Sequence, residues 1–192
     1  RWSVEERPRF WEQVWRFTGM RASRPWDDVY IPGETLRDDR WFSGARFNFA
    51  ENLLAGEDDA EAIVFHGEGG RDRRLTFGEL RTETGRLARA LRAAGVGEGD
   101  RVAGFLPNIP EAVVGMLATA SLGALWTSSS PDFGIRGVLD RFGQVAPKVL
   151  LTADGQVYNG KKNDSIGKVC AILGDLPSVE RVVIVPFVDE RP

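Results

Sequence analysis

Three short stretches hold residue types whose spacing could do chemistry. Gly155-Gln156-Val157-Tyr158-Asn159-Gly160-Lys161 fits the pattern of a glycine, four residues, then Gly-Lys, between a strand-like and a helix-like run. Such a loop can cradle a phosphate on backbone amides, with the lysine as a point charge. The following residue is Lys162, where nucleotide hydrolases place the Ser or Thr that binds magnesium, so ordinary hydrolysis by this loop is not expected, although Lys161 can still meet a phosphate. Ser130-Pro131-Asp132 has the grammar of a helix start, with Ser as cap, Pro in the first turn and Asp against the positive end of the dipole. Gly95-Val96-Gly97-Glu98-Gly99 superficially suggests a dinucleotide loop, but it follows a helix and precedes a strand, the reverse of the required order, and reads as a turn.

Other reactive residues are isolated. His66 is the only histidine, with no cysteine or carboxylate cluster at ligand spacing, and is not expected to hold a metal. Cys170 is the only cysteine and shares a helical face with Ile166, Val169 and Leu173, which predicts a core position rather than a nucleophile. It also excludes an internal disulfide framework and fits a reducing compartment, so the cytoplasm is expected.

The elements that must position these residues lie in the run 101–152. Arg101 to Leu106, Ala124 to Thr127 and Lys148 to Thr152 read as strands, and past the third of them Asp154-Gly155 and Asn159-Gly160-Lys161-Lys162 read as turn chemistry. Between the strands, Asn108 as cap, Pro110 as an early proline and Glu111 in an acidic first turn open an apolar helix that ends at Leu122-Gly123. A second helix carries Ile135, Val138, Leu139 and Phe142 on one face. Two successive strand-helix-strand units with apolar strands demand a parallel sheet covered on both faces, and ligands bind such sheets at the carboxyl ends of the strands. The expected fold is therefore α/β, a doubly wound, mainly parallel sheet of about five strands. Its functional residues should sit in 106–108, 128–133 and 153–162, on neighbouring strands facing one opening.

The flanks are consistent with this plan. Ala62 to Phe65 is a short buried strand, Gly67 to Arg74 a charged turn, and Arg181 to Val185 a further buried strand. Thr76-Phe77-Gly78-Glu79 is a capping box for a helix with Leu80, Leu87, Ala88 and Leu91 on its buried stripe, stopped by Gly95. Residues 1–55 differ in composition, holding the tryptophans at 2, 11, 15, 26 and 41. Phe10, Val14 and Phe17 share a helical face there, and the rings are read as a clamp rather than a base-stacking platform, which would need a basic surround. With 42% hydrophobic and 28% charged residues the chain has the composition of an ordinary globular protein. A net charge of −3 gives no reason to expect nucleic acid. No apolar run approaches the roughly 18 residues of a membrane span, and no signal peptide is legible. A chain that begins at Arg1 and closes on Asp189-Glu190-Arg191-Pro192 is expected to be part of something longer.

Taken together, Trp41-Phe42-Ser43-Gly44-Ala45-Arg46-Phe47-Asn48-Phe49-Ala50-Glu51-Asn52-Leu53-Leu54, Ser128-Ser129-Ser130-Pro131-Asp132-Phe133-Gly134 and the stretch from Thr152 to Lys161 resemble acetoacetyl-CoA synthetases, within the adenylate-forming acyl-CoA synthetases. The resemblance implies that residues 1–55 are an acetyl-CoA-synthetase-type amino-terminal segment and 56–192 the first part of an AMP-binding domain. It implies a ligase that turns acetoacetate, ATP and CoA into acetoacetyl-CoA, AMP and pyrophosphate, with Mg2+ accompanying the ATP. It further implies a CoA site formed by Ser130, Pro131, Asp132, Tyr158 and Lys161. At the last two positions the acetate relatives carry arginines; Lys161 keeps the charge without the bidentate fork, and Tyr158 offers only a hydroxyl or a stacking face. The Ser/Thr/Gly-rich, lysine-ended ATP loop of the family is absent from these 192 residues, as is its adenylation lysine, so no catalytic or metal-binding residue is assigned and the isolated chain is expected to make no thioester. The alternatives are a non-enzymatic CoA- or nucleotide-binding module and a hydrolase using Gly155 to Lys161.

Overall fold

The computed structural model describes residues 1–68 and 70–189. The chain divides into two units, Arg1–Leu53 and Leu54–Pro192.

The first unit contains α1 (Trp2–Glu5), α2 (Arg7–Phe17), β1 (Asp28–Ile31), β2 (Arg40–Ser43) and α3 (Phe49–Leu53), with β1 and β2 paired antiparallel. Its interior is aromatic. The Trp15 ring lies 5.0 Å from Trp26, 4.7 Å from Phe42 and 5.6 Å from Phe47, and Trp11 lies 5.9 Å from Trp41. Edge-on and tilted ring pairs of this kind add about 0.5–1.5 kcal/mol beyond area burial. On α2, Phe10, Val14 and Trp15 are half-buried, whereas Phe17, expected on the same face as Phe10 and Val14, is 92% exposed. The asparagines of the aperiodic stretch replace backbone pairing: Arg21 N–H donates to Asn52 Oδ1 at 2.8 Å, and Asn52 Nδ2 donates back to the Arg21 carbonyl at 3.0 Å.

The second unit runs β3 (Glu61–Gly67), β4 (Arg71–Thr76), α4 (Phe77–Ala93), β5 (Arg101–Phe105), α5 (Pro110–Ser121), β6 (Leu125–Ser129), α6 (Ile135–Val145), β7 (Val149–Ala153), β8 (Gly155–Tyr158), β9 (Lys161–Asp164), α7 (Ile166–Leu173) and β10 (Arg181–Val185). A parallel sheet of four strands, in the order β10-β7-β5-β6, forms its centre. Alternation along the strands divides the core into two layers. Val102, Val149, Leu151 and Ala153 pack on one face with Leu91 of α4 and Ala118 of α5; Ala103, Phe105 and Leu150 pack on the other with Val138 and Phe142 of α6 and Val169 and Ile172 of α7. This is the doubly wound arrangement expected from the apolar strand runs.

Local signals set the ends of several elements. Glu79 N–H donates to Thr76 Oγ1 and Thr76 N–H to Glu79 Oε2, completing the capping box of α4. The glycine-rich turn after α4 has Gly95 and Gly99 at φ +82° and +79°, with Gly97 N–H bonded to Asp100 Oδ2 at 2.9 Å, at the amino end of β5.

Four expectations change. The parallel sheet has four strands rather than about five. Asn108 does not cap α5, whose N-cap is Ile109. The charged stretch taken as a turn is mostly β4, because alternation sends Leu75 inward while Arg73 pairs with Glu83 of α4 and Glu111 of α5, and Arg74 with Glu61 of β3. Cys170 is exposed, since α7 buries Val169 and Ile172 and turns the cysteine outward. Among the described residues no helix is long and apolar enough to cross a membrane.

Candidate functional site

The chain leaves β6 at Ser129 and immediately turns. Ser130 Oγ donates to Asp132 Oδ2 at 2.9 Å and accepts from Asp132 N–H at 3.3 Å, and Phe133 N–H reaches the Ser130 carbonyl at 3.1 Å. These bonds make Ser130-Pro131-Asp132 a self-contained polar turn, not the start of a helix. The helix begins only at Ile135, with Gly134 as its N-cap and no side-chain cap. The expected cap reading fails because a serine oxygen that closes on the amide two residues ahead is no longer available to a helix terminus.

The chain leaves β7 at Ala153, passes through Asp154, and enters the β8–β9 hairpin, in which Tyr158 pairs with Lys161 and Gln156 with Asn163. Asn159 and Gly160 close the hairpin at φ +50° and +71°, the backbone that the Asn-Gly pair favours. This overturns the phosphate-loop alternative. Residues 155–158 pair with a neighbouring strand instead of wrapping an anion at a helix start, so Gly155 to Lys161 has the spacing of a hydrolase loop without its geometry.

Hairpin alternation puts Gln156, Tyr158, Lys161 and Asn163 on one face. On that face Gln156 Nε2 donates to Asp132 Oδ1 at 2.9 Å, and from α7 Lys168 Nζ donates to the Pro131 carbonyl at 2.7 Å. The turn after β6 and the hairpin after β7 are therefore joined at the carboxyl edge of the sheet. They do not leave adjacent strands, as the sequence suggested: β5 lies between β6 and β7, and the Gln156 side chain spans the interval. The Gln156 amide, the Ser130 hydroxyl and the Lys168 charge hold the Asp132 carboxyl below the usual aspartate range, so it is an anion at neutral pH. Tyr158 is 63% exposed, and the exposed Lys161 ammonium has no ion-pair partner among the described residues.

Sequence reasoning missed two residues here. Gln156 drew attention only as part of a glycine-spaced loop. Asp154, read as turn chemistry, is 4% exposed and accepts the amides of Phe187, Val188 and Asp189 at 2.8, 2.9 and 2.8 Å. It thereby fixes the segment leaving β10, and nothing local in the sequence marks a partner more than thirty residues away. Among the described residues no group of three or more His, Cys, Asp or Glu side chains could hold a metal ion.

The chain matches the AMP-binding enzyme family over residues 50–192 and the acetyl-coenzyme A synthetase N-terminus over residues 1–53. It is 48% identical over 186 residues to the acetoacetyl-coenzyme A synthetase of Rhizobium meliloti (strain 1021), covering 97% of this chain and 28% of that protein. It is 43% identical over 194 residues to the acetoacetyl-CoA synthetase of Macaca fascicularis, covering 100% and 29%. The structure of the acetoacetyl-CoA synthetase from Streptomyces lividans superposes with a TM-score of 0.94 at 43% identity, over 100% of this chain and 30% of that one. The chain thus spans less than a third of the length of these relatives.

Proposed function

Because the chain belongs to the AMP-binding enzyme family, we propose that it is the amino-terminal part of an acetoacetate–CoA ligase and supplies the loops that receive CoA. The complete enzyme activates acetoacetate with ATP and passes the acyl group to the CoA thiol, releasing AMP and pyrophosphate. Residues 1–55 and 56–192 are its amino-terminal segment and the first part of its AMP-binding domain, and it works in the cytoplasm.

One observation supports the CoA reading above the others. The Gln156–Asp132 bond ties the Ser130–Asp132 turn to the hairpin face that carries Tyr158 and Lys161. A nucleotide lying across that junction meets a cation with no ion-pair partner among the described residues and an exposed aromatic ring, which suit a phosphate and a base. Lys161 attracts phosphate, Tyr158 stacks or donates its hydroxyl, and Gln156 with Lys168 keeps the turn in place. ATP and its Mg2+ are not assigned to these residues. The chain has no Ser/Thr/Gly-rich, lysine-ended loop, and no described side-chain cluster suits the metal, so no step is routed through either.

In the complete ligase, Lys161→Ala is expected to raise the KM for CoA about fivefold, the scale of one exposed charge-assisted contact. Acetoacetate-dependent exchange of pyrophosphate into ATP, which reports the first step, should be unchanged. Loss of exchange with an unaltered KM for CoA would remove CoA from this edge of the sheet. The isolated 192-residue chain, mixed with ATP and acetoacetate, is expected to release no AMP, as read by chromatography of the nucleotides.

A further inference from the structure

At the tip of the β8–β9 hairpin the two amides that pairing leaves over point outward, as they do in any two-residue turn. Here they are occupied. Asn159 N–H donates to Glu68 Oε1 at 3.1 Å and Gly160 N–H to Glu68 Oε2 at 3.0 Å, so one carboxylate from the turn between β3 and β4 takes both donors. Successive amides converging on one anion make a small concave anion site. The two oxygens of a carboxylate and two of a phosphate have similar spacing, so a seat that fits the first fits the second. Lys161, the next residue along the chain, supplies a cation with no ion-pair partner among the described residues.

We propose that the amides of Asn159 and Gly160 form a phosphate seat that Glu68 fills while the ligand is absent, and that a phosphate group of the incoming nucleotide displaces it. The inference rests on the CoA reading above and deepens it by naming a contact and its internal competitor. Glu68 is suited to yield. It is exposed, its contact is made in solvent where ionic bonds are weak, and its described neighbours Gly67 and Gly70 carry no side chain to anchor it. In its seat it keeps the hairpin tip ordered and holds its negative charge against premature entry of other anions.

The test is calorimetric binding of CoA, dephospho-CoA and inorganic pyrophosphate to the complete protein at low ionic strength, comparing wild type with Glu68→Ala, Asp72→Asn and Lys161→Ala. Removing the competitor is expected to tighten CoA about threefold. Asp72→Asn deletes a charge from the same β3–β4 hairpin without touching the seat, and is expected to leave affinity unchanged. A gain for CoA that vanishes with dephospho-CoA puts the ribose phosphate in the seat, and one that persists puts the diphosphate there. Equal tightening by Asp72→Asn would reduce the effect to bulk charge and overturn the proposal. So would unchanged or weaker binding of every probe to Glu68→Ala; if Lys161→Ala still weakens CoA, the CoA reading survives that failure. Conversely, tighter pyrophosphate in Glu68→Ala with no effect of Lys161→Ala on CoA would keep the seat and remove CoA from it.

Discussion

Replacing Asp154 with alanine is expected to lower the stability of the protein by about 3 kcal/mol at pH 7, because three backbone amides in a partly buried segment lose a charged acceptor at once. The carboxylate receives Phe187, Val188 and Asp189, the Asp154 amide bonds the Val185 carbonyl, and the Asp154 carbonyl accepts Ser165 N–H next to α7. One residue thus links the carboxyl ends of β7 and β10 to the start of α7. Arg71 and Lys162 then bind the carbonyls of the segment that Asp154 has fixed, with Lys162 Nζ 3.0 Å from that of Val188. For a chain of this size the loss corresponds to a fall in melting temperature of about 6–12 °C.

The same residue carries a pH signature. Burial opposes ionisation of Asp154, but the amides of Val188, Asp189, Phe187 and Gly155 outweigh it and hold the carboxyl below its ordinary range. A carboxyl depressed in the folded state contributes stability that is fully present above its unfolded pKa, about 3.9, and is lost as pH falls through the lower folded value. Urea unfolding of wild type and Asp154→Asn should therefore differ by a constant amount between pH 5 and 8 (roughly) and converge below about pH 4. A constant difference through the acid range, or an alanine variant within about 0.5 kcal/mol of wild type at pH 7, would deny Asp154 this role.

Gly104→Ala is expected to cost about 2 kcal/mol, against the gain that alanine usually brings to the interior of a strand. The reason is Trp126. A Cβ at Gly104 of β5 would lie 2.5 Å from its Cη2 and Cζ2 atoms, and a Cβ at Gly115 of α5 would lie 2.8 Å from Cη2. The indole from the edge strand β6 reaches across the sheet into a slot floored by one glycine and roofed by the other, and it joins the α4–α5 layer of the core. An added methyl must push the ring out, which loses packing that interiors of this density do not recover elsewhere. Shortening the ring should relieve the conflict. In a Trp126→Leu background the further cost of Gly104→Ala is expected to fall below about 0.5 kcal/mol, so the double-mutant cycle in urea should show strong coupling. Additive costs would mean that the glycine serves the strand and not the tryptophan.

The backbone plan was legible where energetics are local. The apolar runs around β5 and β7 read correctly because a strand buried on both faces has no polar alternative, whereas Ala62 to Phe65 and Arg181 to Val185 are strands as expected but not buried ones, β3 pairing only with β4 and β10 lying at the edge of its sheet. Thr76 and Glu79 cap α4, and Asn159-Gly160 turns the hairpin, because these residue types satisfy adjacent amides or adopt positive φ wherever they stand. Local grammar misled where one pattern serves two structures. Ser130-Pro131-Asp132 suits a helix start and a closed polar turn equally well, and Gly155 to Lys161 suits a phosphate loop and a hairpin. Cys170 fell on the wrong side of α7 because this short helix is apolar at nearly every position, so periodicity leaves its buried face undetermined.

By itself, then, the sequence determined the α/β class and the alternation of strands and helices from β5 to β7, since these follow from periodicity and from the connection rules of parallel sheets. Only the tertiary structure decided that β5 separates the two loops, that Gln156 nevertheless joins them, that Asp154 holds residues 187–189, and that Glu68 sits on the hairpin tip. The physical reason is range. Periodicity and capping record interactions within a few residues, whereas a side-chain hydrogen bond to a donor 24, 34 or 91 residues away exists only once packing has brought the two groups together.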